Sequence, residues 1–216
     1  MQVIIPARYN GPPGSANGGY TCGLVAGLLG GAAEITLRRP PPLDRPLRWD
    51  GERLWDGEEL VAEGARAELE LEVPAPVSLV EAERAAGRYA GFAEHAFPTC
   101  FVCGPERQDG LRIFAGPVEG RDLVAAPWMP DESSPELAWA ALDCPGAFAV
   151  GFDGRGEVVL GRLTARVDRV PTAGEPHVVV GWPLGGDGRK LYAGTAIFTA
   201  DGEPIARARA TWIVPR

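Results

Sequence analysis

The chain runs through one structural order twice. An apolar helix candidate is followed by a strand, a proline-rich break and a meander of short strands, and the same order then returns. In the first half, Asn17 is placed to cap a helix over Tyr20 to Leu29 that Gly30 and Gly31 stop. In the second, Ser134 at the cap and Pro135 at the first helical position start a helix through Leu137 to Asp143, which Pro145 ends or kinks. The following segments correspond: Ile35-Thr36-Leu37-Arg38-Arg39-Pro40 parallels Leu163-Thr164-Ala165-Arg166-Val167 and the prolines after it. Ala65-Arg66-Ala67 parallels Ala206-Arg207-Ala208-Arg209-Ala210 in the same way. The spacing predicts an internal duplication with a unit of about 100 residues. The first helix is apolar nearly all round, so it is expected to be buried.

Strand signals fill the rest. Leu47 to Trp49 and Leu54-Trp55 are short strand candidates separated by Asp50-Gly51, with Asp56-Gly57 after the second, and both pairs are hairpin turns by composition. Leu60 to Val73 ends in Leu69-Glu70-Leu71-Glu72-Val73, a period of two. Ser78-Leu79-Val80-Glu81 has the form of a capping box and opens a connecting helix that reaches about Arg88. Further on, Leu111 to Phe114 and Leu123 to Ala126 are expected to make a hairpin. Val158 to Val167, Val178 to Trp182, Leu191 to Phe198 and Ile205 to Ile213 follow as strands. The fold class is α+β, with a first half over 1–76, a connector over 77–99 and a second half over 100–216.

Composition removes several function classes. The formal net charge is −8, so the basic footprint of a nucleic-acid binder is missing, and an anionic membrane surface is equally unsuited. No apolar run approaches the length of a membrane span, and the first residues lack the basic region of a secretory signal. The four cysteines, Cys22, Cys100, Cys103 and Cys144, therefore read as thiols in a reducing compartment, which points to the cytoplasm.

Three groups of residues carry a family resemblance. Asn17-Gly18-Gly19 ahead of an apolar helix resembles the helix-opening motif of PaaI-like hotdog thioesterases, and Ala141-Leu142-Asp143 resembles the far end of the same motif. Cys100-Phe101-Val102-Cys103-Gly104 with Asp109-Gly110-Leu111 is similar to a segment ahead of the first strand in thioesterase-like hotdogs. The resemblance covers most of the chain and implies a double hotdog, two antiparallel sheets merged side by side around two helices. In the family motif the carboxylate stands seven residues after the second glycine. Seven after Gly19 is Ala26, and seven before Asp143 is Glu136, preceded by Pro135. Each half has kept what the other lost, so the resemblance implies one composite site shared between the halves. Where histidine is common in the motif, this chain has Asn17.

The activity implied is hydrolysis of a thioester, and the family implies coenzyme A as the carrier. The first amides of a helix are unpaired and carry partial positive charge, and Gly18 and Gly19 leave that end bare for an oxyanion. Asp143 is the candidate general base on water, or the nucleophile. Asn17 either donates to the substrate carbonyl or caps its own helix. Tyr20, Thr21 and Trp139 are candidates to line the substrate site, with core packing as the other reading of Tyr20. The alternative function is an acyl-CoA binding module that uses Gly18 and Gly19 and ignores Asp143.

Other motifs are less productive. Cys100-x-x-Cys103 with His95 five residues ahead gathers three metal-ligand types, but a closed zinc site takes four, and Cys22, Cys144 or His177 would have to join from elsewhere. No metal and no cofactor is assigned. Gly151, Gly154 and Gly156 form a turn-like run with no helix after it, and a Gly-x-Ser-x-Gly nucleophile turn is absent. The expected partner is a small CoA-linked thioester. Any further assembly would be a homodimer of double hotdogs.

Overall fold

The computed structural model describes residues 1–151 and 158–215, so Gly154 and Gly156 of the glycine run lie outside the described residues. Its strands are β1 (Gln2–Ile4), β2 (Ala33–Leu37), β3 (Pro46–Trp49), β4 (Arg53–Asp56), β5 (Glu59–Arg66), β6 (Gly116–Pro117), β7 (Val124–Trp128), β8 (Val159–Val167), β9 (His177–Asp187), β10 (Lys190–Thr199) and β11 (Pro204–Ile213). The helices are α1 (Gly18–Leu29), α2 (Leu79–Ala86), α3 (Pro135–Ala141) and α4 (Cys144–Ala149).

The strands join in one sheet of order β1-β3-β4-β5-β2-β8-β11-β10-β9-β7-β6. The order has a mirror at β2 and β8. These two segments, which the sequence pairs as repeats, lie antiparallel to each other, with Ile35 opposite Leu163 and Ala33 opposite Ala165. Each is flanked by its own half's alanine-arginine strand, β5 beside β2 and β11 beside β8. Two half-sheets are thereby fused edge to edge through equivalent strands, and neither half leaves its inner edge open to other chains.

Burial explains the strand patterns. α1 packs over β2, β5 and β8, and against α3. Along β2, Ala33 and Ile35 are buried and alternate with more exposed residues. β9 behaves differently because it is covered on both faces. Val179 faces the main core, while Val178 and Val180 join Phe198, Ala82 and Ala85 in a second core under α2. A run buried on both sides loses its alternation, which is why Val178 to Val180 reads as a continuous apolar stretch. The capping box at Ser78 is present in full, with the Glu81 amide donating to Ser78 and the Ser78 amide donating back to Glu81.

Three expectations change. Leu69 to Val73 is not a strand: β5 stops at Arg66, opposite Ala33, where β2 begins and the last partner is lost. Alternation makes a strand only where a sheet edge receives it. The hairpin with β7 is made by β6, not by Leu111 to Phe114. Those residues instead lie along the cysteine loop, with the Leu111 amide donating to the Phe101 carbonyl and the Ile113 amide to the Val102 carbonyl. Pro145 neither ends the helical segment nor merely kinks it. α3 ends at Ala141, and α4 begins at Cys144 with Pro145 in its first turn, where a missing amide costs nothing. Among the described residues, no helix is long and apolar enough to cross a membrane.

Candidate active site

α1 starts where it does because Asn17 holds it. Asn17 Oδ1 accepts the Tyr20 amide at 2.8 Å, its backbone amide donates to the Tyr9 carbonyl at 2.7 Å, and its carbonyl accepts the Thr21 hydroxyl at 2.9 Å. The helix then presents Gly19, Gly23 and Gly27, one every four residues, on a single face. A Cβ on Gly19 would stand 2.5 Å from the Asp143 Cβ, and one on Gly23 would stand 2.7 Å from the Trp139 Cβ. The glycine stripe lets α1 and α3 approach to backbone contact. The sequence carries this signal as Gly19-x-x-x-Gly23-x-x-x-Gly27, a spacing that composition alone does not bring out.

That approach brings the two halves together at one carboxylate. Asp143 occupies the break between α3 and α4 and is 3% exposed. Its Oδ2 accepts the Gly19 amide at 2.9 Å and Asn17 Nδ2 at 2.9 Å. Asn17 thus does two things at once, capping α1 with its oxygen and holding Asp143 with its nitrogen. Asp143 Oδ1 has no hydrogen-bond partner among the described residues. Burial pushes the Asp143 carboxyl up to about 7, against the opposing pull of the Gly19 amide and Asn17. The break itself is secured by Thr195, whose hydroxyl donates to the orphan Leu142 carbonyl at 2.8 Å.

The two glycine amides are not equivalent. Gly19 N–H is engaged by Asp143, so it holds the carboxylate. Gly18 N–H makes no backbone or side-chain hydrogen bond among the described residues.

Asn17, Gly18 and Asp143 line a cavity of about 340 Å³. Its walls come from both halves, with Leu37, Pro40 and Pro41 from the first and Val158, Leu160 and Trp212 from the second. Arg38 and Arg39 stand on its exposed side, paired with Glu63 and with Glu59. The volume and apolar lining suit a small organic ligand. Tyr20, Thr21 and Trp139 are not among the lining residues. Tyr20 stacks on Tyr9 with ring centroids 3.7 Å apart, and Trp139 packs under Gly23.

Cys100, Cys103 and Cys144 also line the cavity, and all are free thiols. Cys144 follows Asp143 directly, so the helix break delivers both. Asn17 Nδ2 lies 3.9 Å from Cys100 Sγ and 4.0 Å from Cys144 Sγ. Hydrogen bonds from Cys103 and Cys144 hold the Cys100 thiol well below the ordinary range. His95 lines the same space, with Nδ1 accepting the Phe97 amide at 2.9 Å. Cys22 and His177 are buried elsewhere, outside this cluster.

No family model matches the sequence, and no curated protein matches it. Solved structures match along almost the whole chain. A protein from Alicyclobacillus acidocaldarius, described as of unknown function with a hot dog fold, superposes with a TM-score of 0.65 at 12% identity over 100% of this chain and 92% of that one. The chain is a double hotdog. The tesB protein of Mycobacterium avium subspecies paratuberculosis gives a TM-score of 0.61 at 12% identity, over 99% of this chain and 91% of its own. An acyl-CoA thioesterase II, TesB2, from Mycobacterium marinum gives 0.59 at 13%, over 99% and 92%. At these identities the likeness is one of fold. In this double hotdog the cavity lies where the N-terminus of one half's helix meets the C-terminal end of the other's.

Proposed function

We propose that this double hotdog hydrolyses acyl-CoA thioesters in the cavity between the start of α1 and the α3–α4 break. The observation that carries the reading is the state of Asp143: one oxygen is fixed by Gly19 and Asn17, the other has no partner among the described residues, and Gly18 lines the same cavity. The description of the M. marinum neighbour as an acyl-CoA thioesterase agrees with it.

The chemistry follows from that arrangement. Asp143 Oδ1 takes a proton from a water molecule, and the resulting hydroxide adds to the thioester carbon. Negative charge moves to the carbonyl oxygen, which Gly18 N–H and the positive end of α1 stabilise. The carbon–sulfur bond then breaks, and the leaving thiolate takes the proton back from Asp143. The apolar walls receive the acyl group and keep other water away from it.

Arg38 and Arg39, which line the exposed side of the cavity and pair with Glu63 and Glu59, support a CoA carrier as the cations nearest to hand for its phosphates. Arg38→Ala with Arg39→Ala should raise KM for an acyl-CoA about tenfold with kcat within about twofold, since surface phosphate contacts act on binding. KM for the matching acyl-pantetheine, which lacks the nucleotide, should stay put. Steady-state kinetics on the two substrates checks this, and an equal change for both would reject the CoA assignment. The binding-module reading rests on the same Asp143 contacts, which also clamp α1 to the break. It predicts CoA-ester binding without thiol release.

A further inference from the structure

We propose that Cys100, Cys103 and Cys144 form a three-thiolate site for one Zn²⁺ ion, with its fourth position open to the cavity. The three sulfurs lie within 4.8 Å of one another, and Cys100 Sγ is 3.9 Å from Cys144 Sγ. Tetrahedral zinc with bonds of about 2.3 Å sets sulfur–sulfur edges of about 3.8 Å, so the ligands need only a small inward movement. A disulfide needs sulfurs about 2.05 Å apart, and the thiols here are free at nearly twice that separation.

The surrounding backbone is shaped for metal-bound sulfur. Cys100 to Gly104 makes a tight turn, closed by the Gly104 amide on the Cys100 carbonyl at 2.9 Å. A Cβ on Gly104 would stand 2.5 Å from both the Cys100 nitrogen and the Pro98 carbonyl oxygen, so only glycine closes the turn. Asn17 Nδ2 adds a donor 3.9 to 4.0 Å from two of the sulfurs. Such N–H donors around ligand sulfurs stabilise their charge and fix their direction. Sequence spacing supplies two thiols, and the start of α4, just after the break at Asp143, supplies the third from 44 residues away.

Thiolate and geometry select the ion. Sulfur ligands in a roughly tetrahedral arrangement favour Zn²⁺ over oxygen-seeking Mg²⁺ or Ca²⁺, and three cysteines are one short of an iron–sulfur cluster set. The ion would tie the cysteine loop to the residue next to Asp143. The site stands whether or not the cavity hydrolyses thioesters, because its test reads metal and not turnover.

The test is metal content and Co²⁺ substitution on the whole, reduced chain. Elemental analysis after zinc reconstitution and desalting should find about one zinc per chain. Co²⁺ in its place should give a sulfur-to-cobalt charge-transfer band and tetrahedral visible bands. Cys100→Ser, Cys103→Ser and Cys144→Ser should each weaken zinc binding at least about tenfold. Cys22→Ser, outside the cluster, should leave it unchanged. Should the serine variants fail to fold, wild-type stoichiometry and the cobalt spectrum still decide. Zinc below about one per ten chains in reduced protein, or a cobalt complex without the sulfur band, overturns the site.

Discussion

Asp143→Asn lowers kcat for thiol release from an acyl-CoA by at least about a hundredfold. The substitution is nearly isosteric. The asparagine carbonyl can still accept the Gly19 amide and Asn17 Nδ2, so the contact between α1 and the helix break is kept. The amide nitrogen takes the place of Oδ1, the oxygen without a partner, and cannot accept a proton from water. Stability is expected to hold or rise, because a buried carboxylate carries a desolvation cost that a neutral amide does not. CoA esters should therefore raise the melting temperature of the variant as they do that of wild type. Thiol release and thermal shift measured side by side give both numbers. Retention of more than about a tenth of the wild-type kcat would remove Asp143 from the chemistry.

Gly23→Ala and Gly27→Ala move stability in opposite directions although they lie one helical turn apart. At Gly23 the new Cβ would stand 2.7 Å from the Trp139 Cβ and 2.9 Å from the Glu136 Cα, so α1 and α3 must separate. Overpacking of that kind costs about 3 kcal/mol, which for a chain of this size lowers Tm by about 6–12 °C. At Gly27 the nearest atom is Glu136 Oε1, 3.6 Å away at the end of a side chain. There alanine gains its helix propensity, about 0.5–1 kcal/mol, and Tm rises by a few degrees. Thermal unfolding of the two variants checks the pair. Equal shifts would mean that the glycine stripe does not set the helix separation. Gly23→Ala should also reduce activity, since that separation sets the Gly19–Asp143 contact.

The duplication was legible because both halves keep the same order of helix, strand and break, and the equivalent strands meet at the centre of the sheet. The two helix motifs, each lacking what the other has, pointed to Gly19 and Asp143 as neighbours, and the Gly19 amide does donate to Asp143 across the halves. What composition and spacing could not carry was the partner of each donor. Gly18 and Gly19 look alike in sequence, yet one amide holds the carboxylate and the other makes no hydrogen bond among the described residues. Only the separation of the helices decides which. Cys144 was visible as a cysteine but not as a neighbour of Cys100, because that depends on α4 starting at the break. Leu69 to Val73 has the alternation of a strand without a sheet edge to receive it. In each case local pattern states what a segment is able to do, and the rest of the chain determines whether it does so.

Hydrolysis at the composite cavity is tested by steady-state thiol release by the wild-type chain from acyl-CoAs that run from short to long and include an aromatic acyl group. The composite cavity predicts turnover of at least one of them, with selectivity set by the apolar walls around Leu37, Leu160 and Trp212. No thiol release from any of them, while CoA esters still raise the melting temperature, would contradict hydrolysis and leave a double hotdog that binds acyl-CoA without cleaving it.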